Sequence, residues 1–233
     1  MKNLKLNINL DVLKIFALVT MTLDHIAKFL LGKGMVRECL IAVGRMSFVI
    51  FAFLLMLHLA RKNIYKKYII RLGIFGVVAL LVVGGASCLL SNVRVFPLNI
   101  LISFFVVVLF LWMVELIKNE NGPKWVKIMM FALSLGVCVL LSLVCDYGGY
   151  GFLFLVLLYC YFKKKNKIIL GLILLLSCLI NIEGYWWMSL GMTMVLFFNQ
   201  YEEKNKRIIN KWWSFYVYYP LHLLVIFGIK FWL

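Results

Sequence analysis

Long apolar runs follow one another along the whole chain and constrain its fold more than any other feature. Nine of them lie at residues 10–31, 38–60, 68–90, 96–117, 125–145, 148–162, 168–181, 185–198 and 212–232. A helix crosses the hydrocarbon of a bilayer with about 20 apolar residues. Of the 233 residues 65% are hydrophobic and the mean hydropathy is +1.00, far above a soluble domain. The sequence predicts an all-α, polytopic integral membrane bundle, with residues 1–233 as a single domain.

Three of the runs are short for a membrane crossing. Segments 148–162, 168–181 and 185–198 fall below the roughly 20 residues that a span needs. They either cross a locally thinned bilayer, or the last two form a re-entrant pair buried in protein. We therefore expect about nine transmembrane or partly re-entrant helices. The first run is expected to be retained, because Asp24, His25 and Lys28 interrupt it and no small-residue cleavage site follows.

The 25 Lys and Arg residues are distributed unevenly between the connections. Alternate connections on one side hold 18 of them, whereas the other side holds 4. Because basic loops stay in the cytoplasm, the pattern predicts a multi-pass inner-membrane protein with a cytoplasmic N-terminus. The net charge of +16 is explained by these loops, so membrane lipids are expected partners and nucleic acid is not.

Six cysteines are present, most of them inside apolar runs and none in a CxxC pair. Buried thiols of this kind behave as small hydrophobic side chains, so neither a disulfide framework nor a metal site is expected. Glu183, with the neighbouring Tyr185, Trp186 and Trp187, is interpreted as an interfacial anchor on the outer side.

The first apolar segment contains an unusual set of ionisable residues. Lys14 and His25 are eleven residues apart, which is about 20° after three turns and a rise of about 16 Å, so both lie on one helix face. Asp11 shares that face, while Asp24 points about 100° away and is placed to pair with Lys28. Ionisable groups at membrane depth usually face a cavity or a partner. The alternative is an ion pair that locks helices together.

Four motifs in this order resemble the TraX family, within the membrane acyltransferase-3 superfamily. They are "DVLK" followed by ten residues and the histidine of "TLDHI", then "VGRMSFVIFAFLL", "DYGGYGFLFL" and "FYVYYPLHLLVI". The best-known TraX protein acetylates the N-terminus of conjugative pilin. The resemblance implies an acetyl-CoA-dependent O- or N-acyltransferase in which His25 is the catalytic histidine and Lys14 the basic residue. Lysine lacks the bidentate fork of the arginine found in much of the superfamily.

The positions of these residues suit that chemistry. Acetyl-CoA, the expected donor substrate, is cytoplasmic and polyanionic. The residues expected to bind it lie at the predicted inner end and are Lys14, Asp11, Arg61, Lys62 and His58. A neutral imidazole accepts a proton from an attacking amine or hydroxyl. Direct transfer and a covalent acyl-histidine both remain open. For His58, a solvated histidine at the membrane boundary is the simpler interpretation.

Arg45 and Asp24 complete the predicted catalytic group. Arg45 lies as deep from the outer side as His25, and consecutive helices are usually neighbours. It can therefore reach Asp24, His25 or a substrate carbonyl; the alternative to a catalytic role is an ion pair with Asp24, which would still orient the base.

Two further groups are predicted to line the cavity or receive the acceptor. His222 and Tyr219 flank a proline in the last segment, where a kink would create a polar spot; the alternative for His222 is a packing role. Asp146, Tyr147 and Tyr150 lie in a glycine-rich turn on the outer side, where an ordinary hairpin is the alternative.

Two other function classes compete with the enzyme. Intramembrane Asp, His and Arg also build the relays of proton-coupled transporters, although no inverted repeat is visible. A non-catalytic membrane scaffold is the other alternative. The acceptor, whether peptide, glycan or lipid, is not encoded in these patterns.

Overall fold

The computed structural model describes residues 7–90, 98–180, 184–198, 200–202 and 214–232. Its helices are α1 (Leu10–Phe29), α2 (Met35–Gly44), α3 (Met46–Lys62), α4 (Tyr65–Leu89), α5 (Ile100–Asn119), α6 (Lys124–Leu143), α7 (Gly148–Lys164), α8 (Lys167–Leu179), α9 (Trp186–Phe198) and α10 (Ser214–Trp232). Strands β1 (Asn7–Asn9) and β2 (Gln200–Glu202) pair in parallel. Glu183 and the basic residues Lys2, Lys5, Arg94, Lys204, Lys206, Arg207 and Lys211 lie outside the described residues.

The prediction of an all-α membrane bundle is confirmed. Each of the nine apolar segments forms a helix, and the second is divided at Arg45 into α2 and α3. Asn9, Asn99 and Asn166 begin α1, α5 and α8, and each side chain accepts a hydrogen bond from the first turn of its helix, as N-cap residues do. Within the described residues, the regular secondary structure is helical apart from the two three-residue strands.

Five of the helical segments are long and apolar enough to cross a membrane: Met35–Lys62, Tyr65–Leu89, Ile100–Asn119, Lys124–Leu143 and Ser214–Trp232. The helices α8 and α9 have 13 residues each, about 20 Å at 1.5 Å per residue. They pack against each other, and the hydroxyl of Tyr185 at their tip donates a hydrogen bond to Glu38. The tip of this pair therefore reaches the end of the bundle at which α2 begins.

Basic residues of the described connections, among them Lys62, Lys67 and Lys163, lie at one end of the bundle, called here the basic end. The β1–β2 pair joins the start of α1 to the segment after α9, and Lys163 Nζ donates to Asn63 Oδ1 over 2.9 Å. At the opposite end, Leu98 N donates to Val144 O over 2.9 Å, and Lys230 Nζ lies 5.9 Å from the Phe29 ring. The chain thus alternates between two ends as the charge pattern requires; that the basic end is cytoplasmic stays a prediction.

Helix α3 forms the centre of the bundle. It packs against α1, α7 and α9, and its apolar side chains, including Phe48, Ile50 and Met56, are almost fully buried. Helix α10 packs against α1 and α4. The first and last helices are therefore neighbours, which brings residues from the two ends of the sequence into one site.

Candidate active site

Two histidines from opposite ends of the chain are hydrogen-bonded to each other. His25 Nδ1 on α1 lies 2.8 Å from His222 Nε2 on α10, and the ring centroids are 4.9 Å apart. The other nitrogen of His222, Nδ1, lies 2.9 Å from the backbone carbonyl oxygen of Tyr218. One turn away, Thr22 Oγ1 and Tyr218 Oη are 2.8 Å apart, so a second polar contact joins the same two helices.

Aromatic rings surround the histidine pair. Phe29 stacks on His25 with centroids 6.0 Å apart, and Tyr218 stacks on His222 at 5.3 Å. Tyr219 presents its edge to both histidines, at 6.2 Å from His25 and 5.4 Å from His222. The pair is therefore held between ring faces and edges, in a largely apolar environment.

A cavity of about 760 Å³ runs into the bundle from the basic end. Its wall carries the polar side chains Asn9, Asp11, Lys14, His58, Lys62, Lys67, Tyr68, Arg71, Tyr216 and Tyr219 and apolar side chains such as Met21, Leu101 and Phe104. The cations belong to the first two turns of α1 and α4 and to the last turn of α3. Tyr219 is the wall residue that also contacts the histidine pair. The cavity is therefore basic at its mouth and reaches Tyr219, whose ring contacts both histidines.

One face of α1 follows the cavity. Lys14, Leu18 and Met21 lie on the wall, and His25 continues this stripe one turn further, because the spacings of four, three and four residues match the helical period. Lys14 Nζ bonds Asp11 Oδ1 over 2.8 Å. Neither His25 nor His222 belongs to the cavity lining. His222, predicted as a cavity residue, instead contacts the wall residue Tyr219.

The predicted donor-binding residues are partly assembled here. Lys14, Asp11, Lys62 and His58 lie on the wall, whereas Arg61, although at the same end, is not part of it. The wall also contains Tyr68 and Arg71, which the sequence patterns did not predict as site residues. The spacing of the wall residues on α4 could have indicated them. Positions i, i+3, i+4, i+7 and i+8 form one helix face, and here they are Ile64, Lys67, Tyr68, Arg71 and Leu72.

A second polar cluster lies towards the opposite end. Asp24 Oδ2 accepts a hydrogen bond from Lys28, as predicted, and Asp24 Oδ1 is buried without a hydrogen-bond partner among the described atoms. Arg45 interacts with Tyr147 and with the Asp24 carboxylate. Asp146 lies in the field of Lys28 and Arg45, yet burial raises its pKa to about 6. Asp24, Lys28, Arg45, Asp146 and Tyr147 are called the outer cluster below.

Close packing sets the outer cluster in place. A Cβ atom at Gly44 would lie 2.3 Å from the Cβ of Asp24, so α1 and α2 meet where only glycine fits. Tyr147 has a left-handed backbone, with φ of 64°, and stacks on Phe48 with centroids 3.9 Å apart. Tyr150, by contrast, is 54% exposed and its side chain points away from this packing.

Comparison with known proteins identifies the family. No solved structure matches the chain. A curated relative, the probable fimbrial assembly protein FimC, serogroup H1, of Dichelobacter nodosus, is 29% identical over 238 residues, which cover 94% of each chain. The family model of the TraX protein matches residues 9–230, from the start of α1 almost to the end of α10. This protein therefore belongs to the TraX family.

Proposed function

We propose that this protein is a membrane-embedded acyltransferase that moves an acetyl group from cytoplasmic acetyl-CoA to an amine or hydroxyl presented from the membrane or the opposite side. The observation that carries the proposal is a cavity with a basic mouth that reaches Tyr219, whose ring contacts a pair of hydrogen-bonded histidines. Membership of the TraX family supports the same function.

The mouth of the cavity suits the nucleotide part of coenzyme A. Lys14, Lys62, Lys67 and Arg71 all lie on its wall, and phosphates are bound through charge-assisted hydrogen bonds from such side chains. The volume of about 760 Å³ is within the range of ligand sites, roughly 300–1,000 Å³. The apolar wall further in provides a path for the pantetheine arm and its thioester.

The inner end of the cavity suits acyl transfer. His25 takes a proton from the attacking amine or hydroxyl as the new C–N or C–O bond forms at the thioester carbonyl. The C–S bond then breaks, and the proton passes from His25 to the departing thiolate. The hydroxyl of Tyr219, on the wall beside both histidines, is placed to donate to the carbonyl oxygen, which becomes negative in the transition state.

The outer cluster suits the acceptor. Asp24 and Asp146 provide carboxylates that attract an ammonium group, and Asp24 is the sequence neighbour of His25. The FimC relative is named as a probable fimbrial assembly protein, so we propose a pilus subunit, acetylated at an amine, as the first acceptor to test.

Binding of acetyl-CoA to the purified protein tests the donor site. Replacing Lys62 and Lys67 together by glutamine should weaken binding about tenfold, equivalent to about 1.4 kcal/mol, because two phosphate-facing charges are lost. Lys124→Gln is the matched control, since Lys124 is an exposed cation at the same end that does not line the cavity. His25→Ala should bind acetyl-CoA normally and transfer no acetyl group. Absence of acetyl-CoA binding at millimolar concentration would refute the proposed function.

A further inference from the structure

We propose that His222 is a positioning residue that holds His25 in the tautomer protonated on Nδ1, so that Nε2 of His25 is the nitrogen that takes the substrate proton. This inference rests on the proposed function of His25 as the proton acceptor. His222 is thus assigned a positioning role, and Nε2 of His25 is assigned as the reacting atom.

The first step concerns the tautomer of His222. Its Nδ1 lies 2.9 Å from the carbonyl oxygen of Tyr218, and a carbonyl oxygen only accepts hydrogen bonds. Nδ1 of His222 therefore carries a proton. In a neutral imidazole one nitrogen is a donor and the other an acceptor, so Nε2 of His222 has a free lone pair.

The tautomer of His222 fixes the tautomer of His25. Nε2 of His222 lies 2.8 Å from Nδ1 of His25, and a hydrogen bond between two nitrogens needs one donor and one acceptor. Because His222 accepts, Nδ1 of His25 carries the proton and donates. The lone pair of His25 is then on Nε2, the nitrogen that no hydrogen bond to His222 occupies.

The third step concerns the charge of the pair. Protonated His222 would donate from both nitrogens, which would reverse the bond and turn the lone pair of His25 towards His222. Phe29, Tyr218 and Tyr219 pack against the two rings, and burying an unpaired charge among such rings is costly. Lys28 and Arg45 are the cations in the field of His25, so the surroundings favour the neutral pair.

Variants of His222 separate positioning from packing. His222→Gln keeps an acceptor oxygen near the position of Nε2, whereas His222→Phe keeps a ring and removes the acceptor. We expect His222→Phe to lower kcat for acetyl transfer by about 100-fold, the scale of general acid–base catalysis, with KM for acetyl-CoA changed less than about threefold. His222→Gln should recover at least about a tenth of the wild-type kcat. Thr22→Val, which breaks the Thr22–Tyr218 contact between the same helices, should stay within about threefold of wild type.

Nitrogen-15 NMR of histidine-labelled protein in detergent provides a readout that does not need an acceptor. Resonances assigned with His25→Ala and His222→Gln should show His25 protonated on Nδ1 and unprotonated on Nε2. A His25 protonated on Nε2 would overturn the inference whatever the activity. Wild-type kcat in His222→Phe, with His25→Ala inactive, would overturn it while the proposed function stands; no acetyl-CoA binding by wild type would instead overturn the function.

Discussion

Replacement of Gly44 by alanine tests how α1 is held at the site. A Cβ atom at this position would lie 2.3 Å from Cβ of Asp24 and 3.0 Å from its Cα and Cγ. Non-bonded carbon atoms rest about 3.5–4.0 Å apart, so α1 and α2 must separate by about 1 to 2 Å. The clash involves the backbone and the root of the Asp24 side chain, which no rotamer change removes.

The separation should reach the histidine pair, because His25 follows Asp24 directly. Its 2.8 Å bond to His222 is lost when the two nitrogens move apart by about 1 Å. We expect Gly44→Ala to destabilise the protein by about 1–3 kcal/mol, as overpacking does. We also expect acetyl transfer to fall about 100-fold, since a displacement of about 1 Å in a catalytic group costs this much.

Thermal unfolding in detergent and kcat for acetyl transfer measure the two effects. Gly228→Ala is the matched control, since Gly228 lies on α10 and a Cβ there meets nothing within 4 Å. The control should be neutral or slightly more stable, because alanine is the better helix former by about 1 kcal/mol. Wild-type melting temperature and wild-type kcat in Gly44→Ala would refute the claim that this glycine sets the position of α1.

Two further predictions concern charge and orientation. Because burial raises the pKa of Asp146 to about 6, ionising Asp146 costs the folded state up to about 3 kcal/mol for roughly two pKa units. Asp146→Asn should therefore be more stable than wild type at pH 7, with the difference vanishing as the pH falls from 6 towards 4; a pH-independent difference in melting temperature would contradict this. In a variant whose six native cysteines are replaced by serine, a cysteine replacing Lys164, at the basic end, should resist an impermeant thiol reagent in intact cells and react after lysis. Labelling of this variant in intact cells would reverse the predicted orientation.

Most of the helices can be predicted from the sequence, because their apolar runs and the residues that end them are local features of the chain. The run predicted at 148–162 becomes Gly148–Lys164, since Gly148 and Gly149 begin it and Lys163 and Lys164 end its apolar pattern. The common face of Lys14 and His25 follows from the 3.6-residue period alone. The Asp24–Lys28 pair is equally local, being one turn apart on α1.

The contacts that form the site depend on tertiary packing, and local sequence patterns do not predict them. His25 and His222 are 197 residues apart, and their bond requires α1 and α10 to be neighbours in one particular register. The interruption at Arg45 likewise carries no proline, and the Arg45 backbone keeps helical angles, with φ of −61° and ψ of −21°. The helical period predicts that Tyr68 and Arg71 share one face of α4. It does not predict that this face lines a cavity, because that depends on how the helices pack together.

Under the proposed function, one helix would serve two substrates. Asp24 and His25 point about 100° apart because they are adjacent in a helix. Asp24 therefore faces the outer cluster around Arg45, while His25 faces α10 and lies against Tyr219 of the cavity wall. A donor bound from the basic end and an acceptor bound from the opposite end would then approach neighbouring residues of α1 from different sides. The acceptor would meet the thioester at the histidine pair, and neither substrate would have to traverse the whole bundle.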